Sequence, residues 1–259
     1  MQCGNPYDDS DAFCENCGNR VEATQYISCA RCGQLMEQGD AFCEYCGGSA
    51  SSGAQTVPSS QRMQLIILLD VSISSLSCMN QLTDGLSRFA ADVGKDNKTR
   101  DLLDLVVIPY GERYSVIDGI SNLTRANTIQ PQPNGYACYS NAIREALRLT
   151  ETYSRAHTHI HKPWIVMIST GAPVDSTSGV AAEVQSSQSA GKFRFIALGA
   201  VDSNAATLKA FTDIVIRQKG VDFSDFFGWL CNCVRVIVRT PPSEKPLLPN
   251  LDGNVYRDF

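Results

Sequence analysis

Beyond residue 62 the apolar residues fall in short unbroken runs, and most runs are followed by a stretch with helical spacing. "QLIILLD" (64–70) predicts a buried strand. The helix after it, over 79–94, sets Leu82, Leu86, Phe89, Ala90 and Val93 on one face. A second strand follows in "LDLVVIPYG" (103–111), with a short edge strand in "SVID" (115–118) and a helix over 141–154 with Ile143, Leu147 and Thr150 in phase. "WIVMIST", "FRFIALG" and "IVIR" predict three further strands. "SGVAAEVQSSQS" and "NAATLKAFTD" predict helices between them, and "DFSDFFGWLCNCVRVI" a closing helix with Phe223, Phe226, Phe227 and Leu230 inward. Near-continuously apolar strands alternating with helices predict an α/β domain, a Rossmann-like, mostly parallel sheet with helices on both faces. Such sheets bind their ligands beyond the carboxyl ends of the strands.

The first 48 residues carry no such pattern. Seven of the eleven cysteines stand there. "CARCGQLMEQGDAFCEYCGG" (29–48) places Cys29, Cys32, Cys43 and Cys46 in two C-x2-C-G knuckles. "CGNPYDDSDAFCENCG" repeats the spacing with Cys3, Cys14 and Cys17. Glycine permits the tight knuckle turn, and two facing knuckles offer four thiolates to one tetrahedral zinc. A segment this short buries little apolar surface, so the metal would supply most of its folding free energy. The pattern resembles the double zinc ribbon of bacterial regulatory proteins. The resemblance implies one zinc in the second ribbon, and a second zinc in the first if its set is completed. The partner of Cys3 would fall one residue before Met1, so either the start is cut or Asp8, the terminal amine or water serves as fourth ligand. Residues 49–62, rich in Ser, Gly, Ala and Gln, predict a flexible linker to an α/β domain over 63–239, with a proline-rich tail over 240–259.

At the end of the first strand, "LLDVSIS" sets Asp70, Ser72 and Ser74 at alternate positions, three hard oxygen donors in one loop. This D-x-S-x-S loop, with "NGYACYSNAI" and "ISTGAPVD" further on, resembles a von Willebrand factor A domain, closest to the TerY-type proteins of tellurite-resistance and stress operons. The resemblance implies a metal-ion-dependent adhesion site built from two serines, a threonine and two carboxylates. Here the threonine position falls on Ala137 and the second aspartate on Thr170. With one carboxylate left, Mg2+ retention is expected to be weak. The expectation is a degenerate site in which Asp70, Ser72, Ser74, Ala137 and Thr170 form a docking surface; a partner's carboxylate completing a Mg2+ site is the alternative.

Charge narrows the function further. Residues 1–60 hold two arginines, Arg20 and Arg31, against eight acids, a balance of −6, whereas the whole chain is at −5. Phosphate neutralisation needs clustered Lys and Arg, which weighs against a nucleic-acid-associated ribbon regulator. The N-terminus has neither the basic start nor the apolar core of a signal peptide, and no apolar run reaches the ~18 residues of a membrane helix, so the expected location is cytoplasmic. No nucleophile–base pair, phosphate loop or paired carboxylates emerge, which predicts a non-enzyme. Among lesser signals, His157, His159 and His161 in "HTHIH" fit a polar connection better than a zinc site. Cys231 and Cys233 fall on different faces of the last helix, and Cys138 packs in the former metal loop. In the tail, Leu247, Leu248, Val255, Tyr256 and Phe259 leave docking and mobility equally open. The expected function is a non-catalytic interaction or adaptor protein, and the resemblance implies kinase and phosphatase partners in a bacterial stress or conflict system.

The cysteine spacing predicts at least one zinc per purified chain by elemental analysis. Cys43→Ser is expected to unfold residues 27–48 and leave the α/β domain's melting transition in place; a zinc-free protein would contradict the ribbon.

Overall fold

The computed structural model describes residues 61–119, 133–158, 160–200, 202–241, 244–251 and 253–258, with 26–28, 35–37, 40, 42 and 56–57 before them. The chain divides into two units, 1–60 with 241–243, and 61–240 with 244–259. In the first unit, β1 (Tyr26–Ser28), β2 (Leu35–Glu37) and β3 (Thr56–Val57) form an antiparallel sheet in the order β2-β1-β3. The ribbon cysteines Cys3, Cys14, Cys17, Cys29, Cys32, Cys43 and Cys46 lie outside the described residues. The linker expected over 49–62 is corrected at two places. Thr56 and Val57 pair with Ile27 and Tyr26, β-branched residues taking an open strand edge. Arg62 belongs to the second unit, where it forms a bridge with Ile160 and an ion pair with Asp104.

The second unit runs β4 (Met63–Asp70), a 3-10 turn (Ile73–Ser75), α1 (Met79–Lys95), α2 (Asn97–Leu102), β5 (Leu103–Tyr110), β6 (Ile117–Asp118), α3 (Ser140–Ala156), β7 (Trp164–Ser169), α4 (Ser178–Ser189), β8 (Arg194–Gly199), α5 (Ala205–Lys209), β9 (Val215–Gln218), α6 (Ser224–Arg239) and β10 (Val255–Asp258). The sheet order is β10-β9-β8-β7-β4-β5-β6, parallel inside and antiparallel only at β6 and β10 on the edges. All eight residues of β4 are buried, which explains its unbroken apolar run. Leu65, Ile67 and Leu69 pack in one core with Leu86 and Phe89 of α1 and Phe227 and Leu230 of α6. Ile66 and Leu68 face the other way, into a core with Ile143 and Ala146 of α3 and Val184 of α4. The chain leaves β4 for β5 on one side and later returns to β7 on the other. The carboxyl ends of β4 and β7 therefore flank the crevice where the strand order reverses.

Three elements depart from the sequence reading. Helix α2 is an added turn, capped by Asp96, whose side chain accepts from Thr99 N at 3.2 Å and pairs with Arg239 of α6. The helix predicted over 204–213 stops at Lys209, because Thr212 turns inward to donate to Phe195 O at 2.8 Å. The tail docks on its own domain. Trp229 Nε1 donates to Pro249 O at 3.0 Å, Leu248 and Leu251 pack against the core, and β10 pairs with β9 through buried Val255. Leu247 and Tyr256 stay exposed, the latter under the Lys219 ammonium, and Phe259 lies outside the described residues.

The histidine segment is a connection. His157 stacks on Tyr153 at 4.3 Å, and His161 donates its backbone N–H to Arg62 O while burial lowers its side-chain pKa. His159 lies outside the described residues. Cys231 and Cys233 are both buried on α6, and burial raises the pKa of each thiol.

Helices α1 and α6 meet at Gly85, where an added Cβ would fall 2.6 Å from Phe227 Cδ2; at Gly94, in the same helix, a Cβ would meet nothing within 4 Å. Gly85→Val is expected to cost about 1–3 kcal/mol. Gly94→Ala is expected to gain roughly 0.5–1 kcal/mol. Urea unfolding of the pair reads both signs in one helix.

Candidate functional site

Three segments converge at the end of β4. The first leaves the strand at Asp70, and Val71 N donates to Tyr110 O at 2.8 Å, tying it to the end of β5. It turns at once, with Ser75 Oγ donating to Ser72 O at 2.7 Å. The second, residues 133–139, crosses above it: Asn134 N donates to Val71 O and Ile73 N to Gly135 O, each at 2.9 Å. The third follows β7 through Thr170 and Gly171, and Val174 N donates to Ala137 O at 3.0 Å. At Gly171 a Cβ would fall 2.6 Å from Ser74 Oγ, so the first and third segments approach more closely than any other residue type allows.

Asp70 is fully buried at the centre. Its Oδ1 accepts from Ser72 N at 3.0 Å and Ser72 Oγ at 2.6 Å; its Oδ2 accepts from Thr170 N and Thr170 Oγ1, both at 2.9 Å. A carboxylate has about four acceptor sites, and here all are used. The Ser74 hydroxyl closes a ring, 2.7 Å from Ser72 Oγ and 3.2 Å from Thr170 Oγ1. Thr170 explains the arrangement. A second aspartate there would face Asp70 with no proton between them and call for a cation, whereas threonine brings a hydroxyl donor. A divalent ion fits this donor set poorly. Ala137 offers no side-chain oxygen, Asp70 is the one carboxylate of the ring, and both its oxygens are engaged.

Two tyrosines and a second aspartate, absent from the site read in the sequence, brace the loops. Tyr139, buried at the start of α3, sits 2.6 Å from both Ser169 Oγ and Gly171 O. Tyr110 donates to Ile168 O at 2.9 Å and meets Tyr139 edge-on. Burial, with the charge of Asp70 behind it, pushes the Tyr110 phenol well above its ordinary range. Asp175 accepts from Tyr139 N at 2.9 Å and Ser140 N at 2.8 Å, so it caps α3 and ties the second segment to the third. Burial works to raise its pKa, but the hydrogen bonds from Ser140 and Tyr139 prevail and hold the carboxyl below the usual range. The sequence signal was the end of "ISTGAPVD", where the carboxylate stands five residues past the strand.

Of the five residues expected to form a docking surface, four are buried: Asp70, Ser72, Ala137 and Thr170. Only Ser74 reaches solvent. The ring therefore lies mostly beneath the surface, with Ser74 its one member open to solvent. Above it stand exposed apolar side chains from the same three segments, Ile73 and Leu76 from the first, Tyr136 from the second and Val174 from the third. Cys138 is half-buried beside them, its thiol held protonated mainly by burial. Cys78, at the base of the first loop, is raised to about 11 by burial and then by the charges of Asp70 and Asp202. Neither thiol is a ready nucleophile at neutral pH.

A family model for the double zinc ribbon matches residues 1–47. No curated protein matches the chain in sequence. The von Willebrand factor domain of Mfa5, the type V pili tip protein of Porphyromonas gingivalis, is similar in structure at 8% identity and a TM-score of 0.56, over 70% of this chain and 97% of that one. The pilus adhesin SpaC of Lactobacillus rhamnosus GG in its open conformation gives 12% identity and 0.54, over 69% of this chain and 30% of that one. Proximal thread matrix protein 1 of the mussel byssus, with a zinc-occupied MIDAS motif, gives 15% identity and 0.51, over 78% and 50%. This chain thus spans half or less of the last two. At these identities the likeness is one of fold: the chain joins an N-terminal zinc ribbon to a von Willebrand A-type α/β domain.

Thr170→Val keeps the shape of the side chain and removes its proton from Asp70. The expected loss is about 1.5–3 kcal/mol, measured by denaturant unfolding, with Thr170→Ser restoring most of it. An unchanged midpoint for the valine variant would show that the ring does not need this donor.

Proposed function

We propose that the protein is a non-catalytic interaction module whose A-type domain docks a protein partner at the carboxyl end of its sheet. The observation that carries this reading is the layered site. A carboxylate–hydroxyl ring is complete within itself, and an exposed apolar rim of Ile73, Leu76, Tyr136 and Val174 stands over it. Apolar side chains clustered on an otherwise polar surface mark contact sites for macromolecules. The ring ties the first loop to the third and backbone hydrogen bonds tie the second to both, so the rim is presented without the ordering cost that mobile loops would incur on binding.

The ribbon unit adds a second module, with Cys29, Cys32, Cys43 and Cys46 the residues that would hold its zinc, and Cys3, Cys14 and Cys17 the partial set for another. Its −6 balance suits basic protein surfaces rather than nucleic acid. The resemblance to TerY-type proteins supports a kinase or phosphatase of a bacterial stress system as partner. Among the described residues, no helix is long and apolar enough to cross a membrane, which accords with a cytoplasmic role.

Affinity purification from the native host tests the rim. Ile73→Asp with Val174→Asp is expected to lose the partner that the parent retains, at an unchanged melting temperature; retention by the double variant would overturn the reading. Calorimetry tests the ring. Restoring the lost ligands, Ala137→Thr with Thr170→Asp, should produce a measurable heat of Mg2+ or Zn2+ binding at the A domain, with little from the parent. Tight binding by the parent, abolished by Asp70→Ala, would favour the metal-dependent alternative that the zinc-occupied motif of the mussel protein suggests.

A further inference from the structure

On the face of the sheet covered by α6, the docked tail leaves a cavity of about 480 Å3. Trp164, Ile196 and Ile216 form its buried floor, Trp229 of α6 a wall, and Leu248 and Leu251 of the tail its roof. The roof is held at both ends, by the Trp229–Pro249 hydrogen bond on one side and the β9–β10 pairing on the other. The cavity's size falls in the range of small-ligand sites, ~300–1,000 Å3.

Among the described residues the charged groups of the lining are of one sign. Arg194 and Arg257 reach the cavity and no described Asp or Glu lines it; Asp213 and Asp258 line the adjoining cleft, which Arg194 also borders. The Arg194 guanidinium lies 5.5 Å from the centroid of the Trp164 ring, and no ion pair engages it among the described residues. Stacking on an aromatic face fixes a guanidinium's plane and leaves its N–H edges free to meet an anion. An apolar chamber bordered by the Arg194 guanidinium suits an apolar chain that ends in a single anionic head.

We propose that this chamber binds a fatty carboxylate, with its chain between the two tryptophans and the isoleucine floor and its head on Arg194. The site lies against β7, β8, β9 and the tail, whereas the partner rim is built on segments that follow β4, β6 and β7. Occupancy would brace the tail against the sheet.

The chain has only two tryptophans, and both line the chamber, so intrinsic fluorescence reports on it directly. The full-length protein is titrated with decanoate below its micellar limit, beside decanol and butyrate. Decanoate is expected to give a saturable fluorescence change, decanol to bind at least tenfold more weakly, and butyrate to give none. Arg194→Gln should weaken decanoate about tenfold, the loss of one charge-assisted contact, and Arg194→Lys should recover part of it. Ile216→Phe, which fills the chamber, should abolish the change while circular dichroism shows an intact fold. No saturable response to decanoate, equal affinity for decanol, or an Arg194→Gln variant that binds like the parent would each overturn the assignment.

Discussion

A carboxylate removed from water must be met by a cation or by enough N–H and O–H groups to stand in for its hydration shell, and leaving it unmet costs several kcal/mol. Asp70 imposes that constraint because β4 is buried on both faces and delivers its last side chain inside the domain. Two backbone N–H groups and two hydroxyls meet it, drawn from loops about a hundred residues apart in sequence. Much of the upper surface follows from this. The turn after β4 is set by Ser72, the loop after β7 by Thr170, and Gly171 lets the two approach. The second segment then closes over the first through Asn134 and Gly135 and over the third through Ala137. An anion solvated in this way keeps its charge but has no acceptor site left open, and the large side chains that reach solvent around it are apolar.

The sheet was legible because its strands are buried on both sides, and residues 64–70, 103–111 and 164–170 could hardly be anything else in a chain of this length. The meeting of Asp70 and Ser74 with Thr170 was legible too, through the resemblance that set "LLDVSIS" beside "ISTGAPVD". What escaped was everything set by distant partners. Asp175 looks like any loop acid until α3 is seen to begin against it, and Tyr139 like one more aromatic until its hydroxyl reaches Gly171. Helix α2 has no apolar face of its own; it rests on Asp96, whose partner Arg239 is more than a hundred residues away. The tail was undecided because its few apolar residues are spaced for no regular element, and only Trp229 and the open edge of β9 give them a place.

Half-buried carboxylates at the two ends of α3 show the same economy in different chemistry. At its start, Asp175 accepts from two backbone N–H groups and adds a negative charge where the helix dipole favours one. Near its end, Tyr153 donates to Asp104 at 2.6 Å, and Asp104 is also paired with Arg62. Helix α3 is thus fastened to the sheet by carboxylates at both ends, with the apolar contacts of Ile143 and Ala146 between them. A helix pinned at each end cannot slide along its axis. The second loop, which leads straight into it, inherits that fixed position.

The edges of the sheet carry a consequence for the protein in concentrated solution. A parallel sheet with an open flank offers unpaired N–H and C=O groups to any passing strand. Here each flank ends in a short strand running against its neighbour: the two residues of β6 on one side, and the four of β10 on the other, with Tyr256 and Arg257 outward. Neither edge presents a long, flat apolar ladder. The same C-terminal segment that roofs the chamber thereby blunts the flank beside it, and a chain that lost the segment would offer β9 as an open edge to other strands.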